Sequence, residues 1–206
     1  MIWKKAAVLG MAAAAIMGIS ACGSSNGTQQ ASAPANSSAA SQSVKNPAGN
    51  GKTIVVYFSA TGNTGKAANV IARESKGDIW EIKPEKPYSK ADLDYLDDNS
   101  RSVKEHNDPS IRPAISGNVP AWDSYSTVYL GYPIWWGEAP NIMYTFVESH
   151  DFSGKRVIPF CTSASSGVGD SAEHLHQAAG KGDWMGGTRF SGGFNEKDII
   201  DWVKKY

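Results

Sequence analysis

Between residues 57 and 66 the chain reads Tyr57-Phe58-Ser59-Ala60-Thr61-Gly62-Asn63-Thr64-Gly65-Lys66. Three aliphatic hydroxyls (Ser59, Thr61, Thr64), the Asn63 amide and two glycines crowd into one short turn. Residues of these types at this density suit an oxyanion, above all a phosphate monoester. Glycines let the backbone close around an anion. A helix beginning at the end of the turn would add unpaired N–H groups and the positive end of its dipole. The spacing excludes two commoner phosphate loops: Gly62 and Gly65 are too close for G-x-x-x-x-G-K-[ST], and no G-x-G-x-x-G is present. What remains is [ST]-x-T-G-x-T, which needs no bound cation. A Ser/Thr-rich helix cap is the alternative reading of the same residues.

Two further stretches carry groups that could complete a site. Pro133-Ile134-Trp135-Trp136-Gly137-Glu138-Ala139-Pro140 brings an aromatic wall, and Thr162 to Ser171 is small, polar and glycine-bearing, with Thr162, Ser163, Ser165 and Gly167 as candidate contacts. Trp135 and Trp136 are adjacent, so on an extended segment they point opposite ways. One should therefore face a ligand and the other the core; Trp136, beside Gly137, is the better candidate for the ligand. No metal-ligand cluster is evident, since His106, His150, His174 and His176 are scattered and the last two do not share a helix face. Nor is there a spacing suggestive of nucleophilic catalysis. Cys161, at the end of an apolar run, reads as a packing residue. Glu138 and Asp170 read as helix-start acids.

These stretches need elements to position them. Thr53 to Phe58 is a near-continuous β-branched and apolar run, as in a strand buried on both faces. A helix should start by Lys66. Asp78 to Ile82 alternates, as in a half-buried strand near an edge. Ser89 to about His106 is polar with Leu93, Leu96 and Val103 loosely at helical spacing, and Ser89 with Asp92 could cap such a helix. Thr127–Tyr132 and Arg156–Cys161 read as the third and fourth strands, and a short fifth strand fits Thr188–Phe190. Helices are expected after Pro140, up to about Ala179, and from Asn195 or Glu196, the last with Ile199, Ile200 and Val203 inward. Strands alternating with helices imply a parallel sheet covered on both faces, wound by right-handed crossovers. In such α/β sheets ligands bind beyond the carboxyl ends of the strands, where the three stretches would meet.

The start of the chain is read differently. Lys4 and Lys5 precede an apolar run, Ala6 to Ile19, too short for a membrane span of about 20 residues. It ends in Ile19-Ser20-Ala21-Cys22-Gly23, which is similar to a bacterial lipobox. Residues 1–21 are thus expected to be a lipoprotein signal peptide, with lipidation at Cys22. Residues 22–52, rich in Ser, Ala, Asn, Gln, Gly and Pro, read as a disordered tether. Residues 53–206 read as one domain. Within it 16 basic side chains face 20 acidic ones, a net charge of −4, which argues against nucleic acid as a partner.

Trp122-Asp123-x-Tyr125, Tyr129-Leu130-Gly131-Tyr132-Pro133-Ile134-Trp135-Trp136-Gly137-x-Ala139-Pro140, and the Ser59-to-Thr64 turn together resemble the bacterial flavodoxin-like domain family, whose members include exported lipoproteins. The resemblance implies an α/β flavodoxin-like fold, a doubly wound five-stranded parallel sheet of order 2-1-3-4-5 with helices on both faces. The order is the one this fold is known by. It implies FMN as cofactor, held by Ser59, Ala60, Thr61, Gly62, Asn63, Thr64, Pro133, Ile134, Trp135, Trp136, Gly137, Thr162, Ser163, Ser165 and Gly167. In flavodoxins a Trp-Gly pair after strand three packs on the flavin, and the glycine peptide can flip; Trp136-Gly137 matches. The chain departs from the pattern in one respect: Thr162 to Ser171 holds no aromatic residue, so one flavin face would be open. The expected function is electron transfer outside the cytoplasmic membrane. The alternatives are an FMN-dependent NAD(P)H or quinone-type reductase and a non-redox module that lost the flavin. The expected partners are a redox protein or a small quinone or NAD(P)H-like substrate, with the membrane reached through the lipid anchor.

Overall fold

The computed structural model describes residues 51–206. The expected signal peptide, Cys22 and nearly all of the tether lie outside the described residues. β1 (Lys52–Tyr57) starts one residue before the expected domain boundary and leads to α1 (Asn63–Ser75), then β2 (Asp78–Glu81) and α2 (Arg101–Asn107). β3 (Tyr125–Pro133), α3 (Asn141–Ser149), β4 (Arg156–Ser163) and α4 (Ser171–Ala179) follow. The chain ends with β5 (Asp183–Trp184), β6 (Thr188–Ser191) and α5 (Glu196–Val203). All strand pairs are parallel, in the order β2-β1-β3-β4-β5, with β6 also on β4.

Period-two alternation divides each central strand between two cores. Ile54, Val56, Val128, Leu130, Tyr132, Val157 and Cys161 point toward α3 and α4, where Ile142, Met143, Phe146 and Leu175 meet them. Val55, Tyr129, Ile158 and Phe160 point to the opposite face, against Ala67, Ala68 and Ile71 of α1 and Ile199, Trp202 and Val203 of α5. Burial on both faces is why these strands carry no polar alternation. Of the residues expected to face the core from the last helix, Ile200 is only partly buried, while the unanticipated Trp202 is buried. Gly131 is required by packing: a Cβ there would lie 2.2 Å from Phe160 Cζ on the neighbouring strand.

The fifth strand is broken. β5 pairs Asp183 with Arg156 and Trp184 with Val157, whereas β6 pairs Thr188 with Phe160, so one extra residue enters the edge between them. The break lies opposite Pro159, which has no N–H to give a ladder. Only β6 matches the expected strand.

The connection from β2 to β3 also departs from expectation. Ser89 and Asp92 do bond reciprocally, Ser89 N–H to Asp92 Oδ2 (2.8 Å) and Asp92 N–H to Ser89 Oγ (3.1 Å). They start only a 3₁₀ turn, Ala91–Leu93. Asp94 and Asp97 then accept the N–H groups of Leu96 and Asn99, which diverts the backbone from a helix. The helix resumes as α2, with Ser100 Oγ accepting the Val103 N–H. Leu96, expected on an inward face, is 80% exposed.

The Trp122-Asp123-x-Tyr125 segment lies at the N-terminal ends of the strands, away from the three loops. Trp122 Nε1 donates to Asp151 O (2.7 Å) and Tyr125 Oη to Asp78 Oδ2 (2.8 Å). The buried Lys155 ammonium donates to Trp122 O (2.9 Å) and Tyr125 O (2.6 Å).

Candidate functional site

The loops after β1, β3 and β4 emerge at one edge of the sheet. In the first, the Gly65 N–H donates to Ser59 Oγ (3.1 Å) and the Lys66 N–H to Gly62 O (3.0 Å). The N–H groups just before them, at the start of α1, have no acceptor inside the helix. Gly62 is the N-cap at φ +88°, with no side-chain cap, and a Cβ there would meet nothing within 4 Å. No acidic residue stands in the first turn of α1. The arrangement is an open, uncapped helix start, suited to an anion.

The hydroxyls of the turn do not act alike. Thr61 is exposed, Ser59 is half-buried and already accepts from Gly65, and Thr64 is buried with its Oγ1 2.7 Å from Thr162 Oγ1. The expectation that Thr64 would offer its hydroxyl to a phosphate is therefore corrected: in this fold it ties the turn to the end of β4. The Asn63 amide lies near Gly192, at the β6–α5 turn.

The loop after β3 turns tightly. Ile134 N–H donates to Thr162 O (3.0 Å), continuing the β3–β4 ladder one residue past Pro133. Trp135 and Glu138 exchange both backbone hydrogen bonds at 2.9 Å, with Trp136 at φ +48° and Gly137 at φ +86° between them. Two central residues at positive φ are the signature of a type I′ turn. The turn throws the two tryptophans apart. Trp135 packs inward, edge-on to Phe58 (5.8 Å) and Tyr88 (5.5 Å). Trp136 is 42% exposed and stacks on His106, with centroids 4.7 Å apart and planes 12° apart.

Ala60, Thr61, Ile134, Trp135 and Trp136 line one cleft of about 310 Å³, together with Leu93, Tyr95 and Ser102 from the β2–β3 connection. These last three had not been anticipated. The one available signal was Tyr95-Leu96, an apolar pair in an otherwise acidic stretch. Glu105 fastens this connection: Tyr88 Oη donates to its Oε2 and Arg101 Nε to its Oε1, both at 2.6 Å.

The loop after β4 is held from below by Arg189 of β6, equally unanticipated, which donates to Ser163 Oγ (2.9 Å), Ser163 O (3.0 Å) and Ala164 O (2.7 Å). Ser165 and Gly167 are exposed and stand outside the cleft, and a Cβ on Gly169 would come within 3.7 Å of Gly137 O. Glu138 is not a helix-start acid; its Oε2 lies 3.0 Å from His174 Nδ1, a hydrogen bond that raises the imidazole pKa. Asp170 is the N-cap of α4 but makes no side-chain cap bond. Cys161 is fully buried, and burial pushes its thiol up to about 12.

Residues 52–206 match a family model described as Flavodoxin. Among solved structures, a presumptive flavoprotein from Bacteroides eggerthii DSM 20697 is 42% identical, with 76% of this chain and 98% of that chain covered and a TM-score of 0.70. Another from Bacteroides uniformis ATCC 8492 is 43% identical over 75% of this chain and 98% of that one, with a TM-score of 0.71. A flavoprotein in complex with FMN from Lactobacillus acidophilus NCFM shares the fold at 20% identity and a TM-score of 0.57, covering 75% and 99% of the two chains. No curated protein matches.

Proposed function

Because this chain belongs to the flavodoxin family, we propose that it binds FMN at the three strand-end loops and carries electrons to or from a redox partner. The observation that carries this reading is the open, left-handed Gly62 N-cap, uncapped and free of acidic neighbours, set beside a cleft walled by tryptophan. The phosphate fits the turn from Ser59 to Thr64, where helix-start N–H groups and the Ser59 and Thr61 hydroxyls supply donors. The ring fits the cleft, against the face of Trp136 that His106 does not cover. FMN supplies a ring that takes up and gives back electrons; the protein binds it, orients it and sets its surroundings.

Titrating the purified protein with FMN and with riboflavin, followed by visible absorbance and fluorescence, tests the reading. Thr61→Val should weaken FMN by about 1–2 kcal/mol, the worth of one hydrogen bond to a charged group. Riboflavin, without the phosphate, should be unaffected. Equal losses for both ligands would move the phosphate elsewhere. A protein that stays colourless at saturating FMN would be the non-redox module instead.

A reductase reading is favoured by the exposed loop after β4, where Ala164 to Gly167 present no aromatic cover. It requires NAD(P)H oxidation by the FMN-loaded protein with no partner added.

The location belongs to the same proposal. Ile19 to Gly23 supports an anchor on Cys22 and a place outside the cytoplasmic membrane. Fatty-acid labelling that survives Cys22→Ala would refute it.

A further inference from the structure

A second cavity, of about 430 Å³, shares Ser102, Trp135 and Trp136 with the cofactor cleft and extends between α2, α3 and α4. Its volume falls in the range of small-molecule sites. Pro109, Ala139 and Pro140 give it apolar walls, and Tyr144 of α3 and His174 of α4 stand among its lining residues.

The charges around it are already matched. Arg112 holds Glu148 through two bonds of 2.8 Å, His174 lies 3.0 Å from Glu138, and Glu105 is held by Arg101 at 2.6 Å. An ionic ligand would have to break one of these pairs. An uncharged ligand would not.

Ser102 points the other way. It is 2% exposed, and its Oγ has no hydrogen-bond partner among the described residues. A buried hydroxyl left unpaired costs about 1–3 kcal/mol, which a ligand oxygen in the cavity would recover. Tyr144 Oη is a further hydroxyl on the lining. Burial and the nearby Glu138 push it up to about 12, so it remains a donor at neutral pH.

We propose that this cavity is a second binding site, for a flat uncharged ring bearing carbonyl acceptors, the chemistry of a quinone, with Ser102 and Tyr144 as its donors. The site lies one indole away from the cofactor cleft, because Trp136 lines both. That adjacency gains its meaning from the FMN reading above; the binding itself does not depend on it.

The test is calorimetric titration of the full-length protein with tetramethyl-1,4-benzoquinone, whose fully substituted ring cannot add thiols. Binding near one equivalent is expected, weakened about tenfold in Ser102→Val and in Tyr144→Phe. Tyr144→Phe keeps the ring and removes one hydroxyl, so it stays informative if Ser102→Val fails to fold. The titration is then repeated with saturating FMN. Simultaneous binding supports a second site. Displacement of the quinone by FMN, undiminished affinity in Tyr144→Phe, or no binding to the wild type overturns it. If FMN fails to bind while the quinone binds and the variants weaken it, this site stands and the cofactor reading alone falls.

Discussion

Thr64 and Thr162 join their hydroxyls at 2.7 Å, 98 residues apart in the chain, and so couple the start of α1 to the end of β4 beneath the candidate site. Both side chains are buried, so neither oxygen can turn to water if the other is lost. Thr64→Val or Thr162→Val alone should cost about 1–3 kcal/mol, the penalty of an unpaired buried hydroxyl. The double variant should cost less than the sum of the two. A double-mutant cycle by urea unfolding measures the coupling; strict additivity would mean that the two groups do not support each other.

The Trp135–Glu138 turn sets a second expectation. Gly137 already sits at φ +86°, so a left-handed residue is needed in the conformation described here and not only in a flipped one. Gly137→Ala should lower stability by about 1–2 kcal/mol. Trp136 also occupies positive φ, at a position where Asn is favoured. Trp136→Asn should therefore keep the melting temperature while weakening FMN. Equal melting temperatures for Gly137→Ala and the wild type would refute the turn assignment.

Glu105 is the post on which one wall of the cleft rests. Its side chain is 5% exposed and binds Arg101, which in turn lies 4.0 Å over the Tyr88 ring. Glu105→Ala removes one partner of a largely buried pair and should cost about 3 kcal/mol. The local sign would be faster proteolysis between residues 89 and 100. Wild-type digestion of that stretch in the variant would show that the connection holds itself in place.

Alkaline pH should unfold the protein. Burial raises Cys161 from 9.0 to about 12, and Tyr129 and Tyr144 from 10.0 to about 12. The native state keeps these protons longer than the unfolded state does. Their contribution is thus complete below about pH 9 and is lost as pH rises toward about 12. Urea midpoints measured across that range should fall steadily. At pH 8 the Cys161 thiol should resist iodoacetamide in the native protein and react in urea, as peptide mass spectrometry would show. Ready native alkylation would contradict its burial.

What could be read from the chain alone was whatever repeats along it. The apolar runs at Thr53–Phe58, Thr127–Tyr132 and Arg156–Cys161 announce buried parallel strands, and all three occur. The Ser59–Thr64 and Trp135–Gly137 stretches announce a site through composition, and four of their residues line the cleft with Ile134. What was not legible depends on contacts between distant segments. Nothing local says that the Thr64 hydroxyl is taken by Thr162, or that Arg189 grips Ser163 and Ala164. Ser102 and Tyr95 enter the site because aspartate side chains break the β2–β3 connection and fold it back, a competition that helical spacing does not register.

The break between β5 and β6 has a consequence for how these molecules behave in a crowd. An edge strand is a template on which another chain can add itself, hydrogen bond by hydrogen bond. Here that edge offers two paired residues, an extra residue, then four more. An incoming strand in register with β5 falls out of register at β6, so it cannot lengthen into a continuous ladder. The opposite edge, β2, is only four residues long. The sheet therefore ends on both sides in surfaces too short or too irregular to propagate, and copies of the protein can be concentrated without seeding one another.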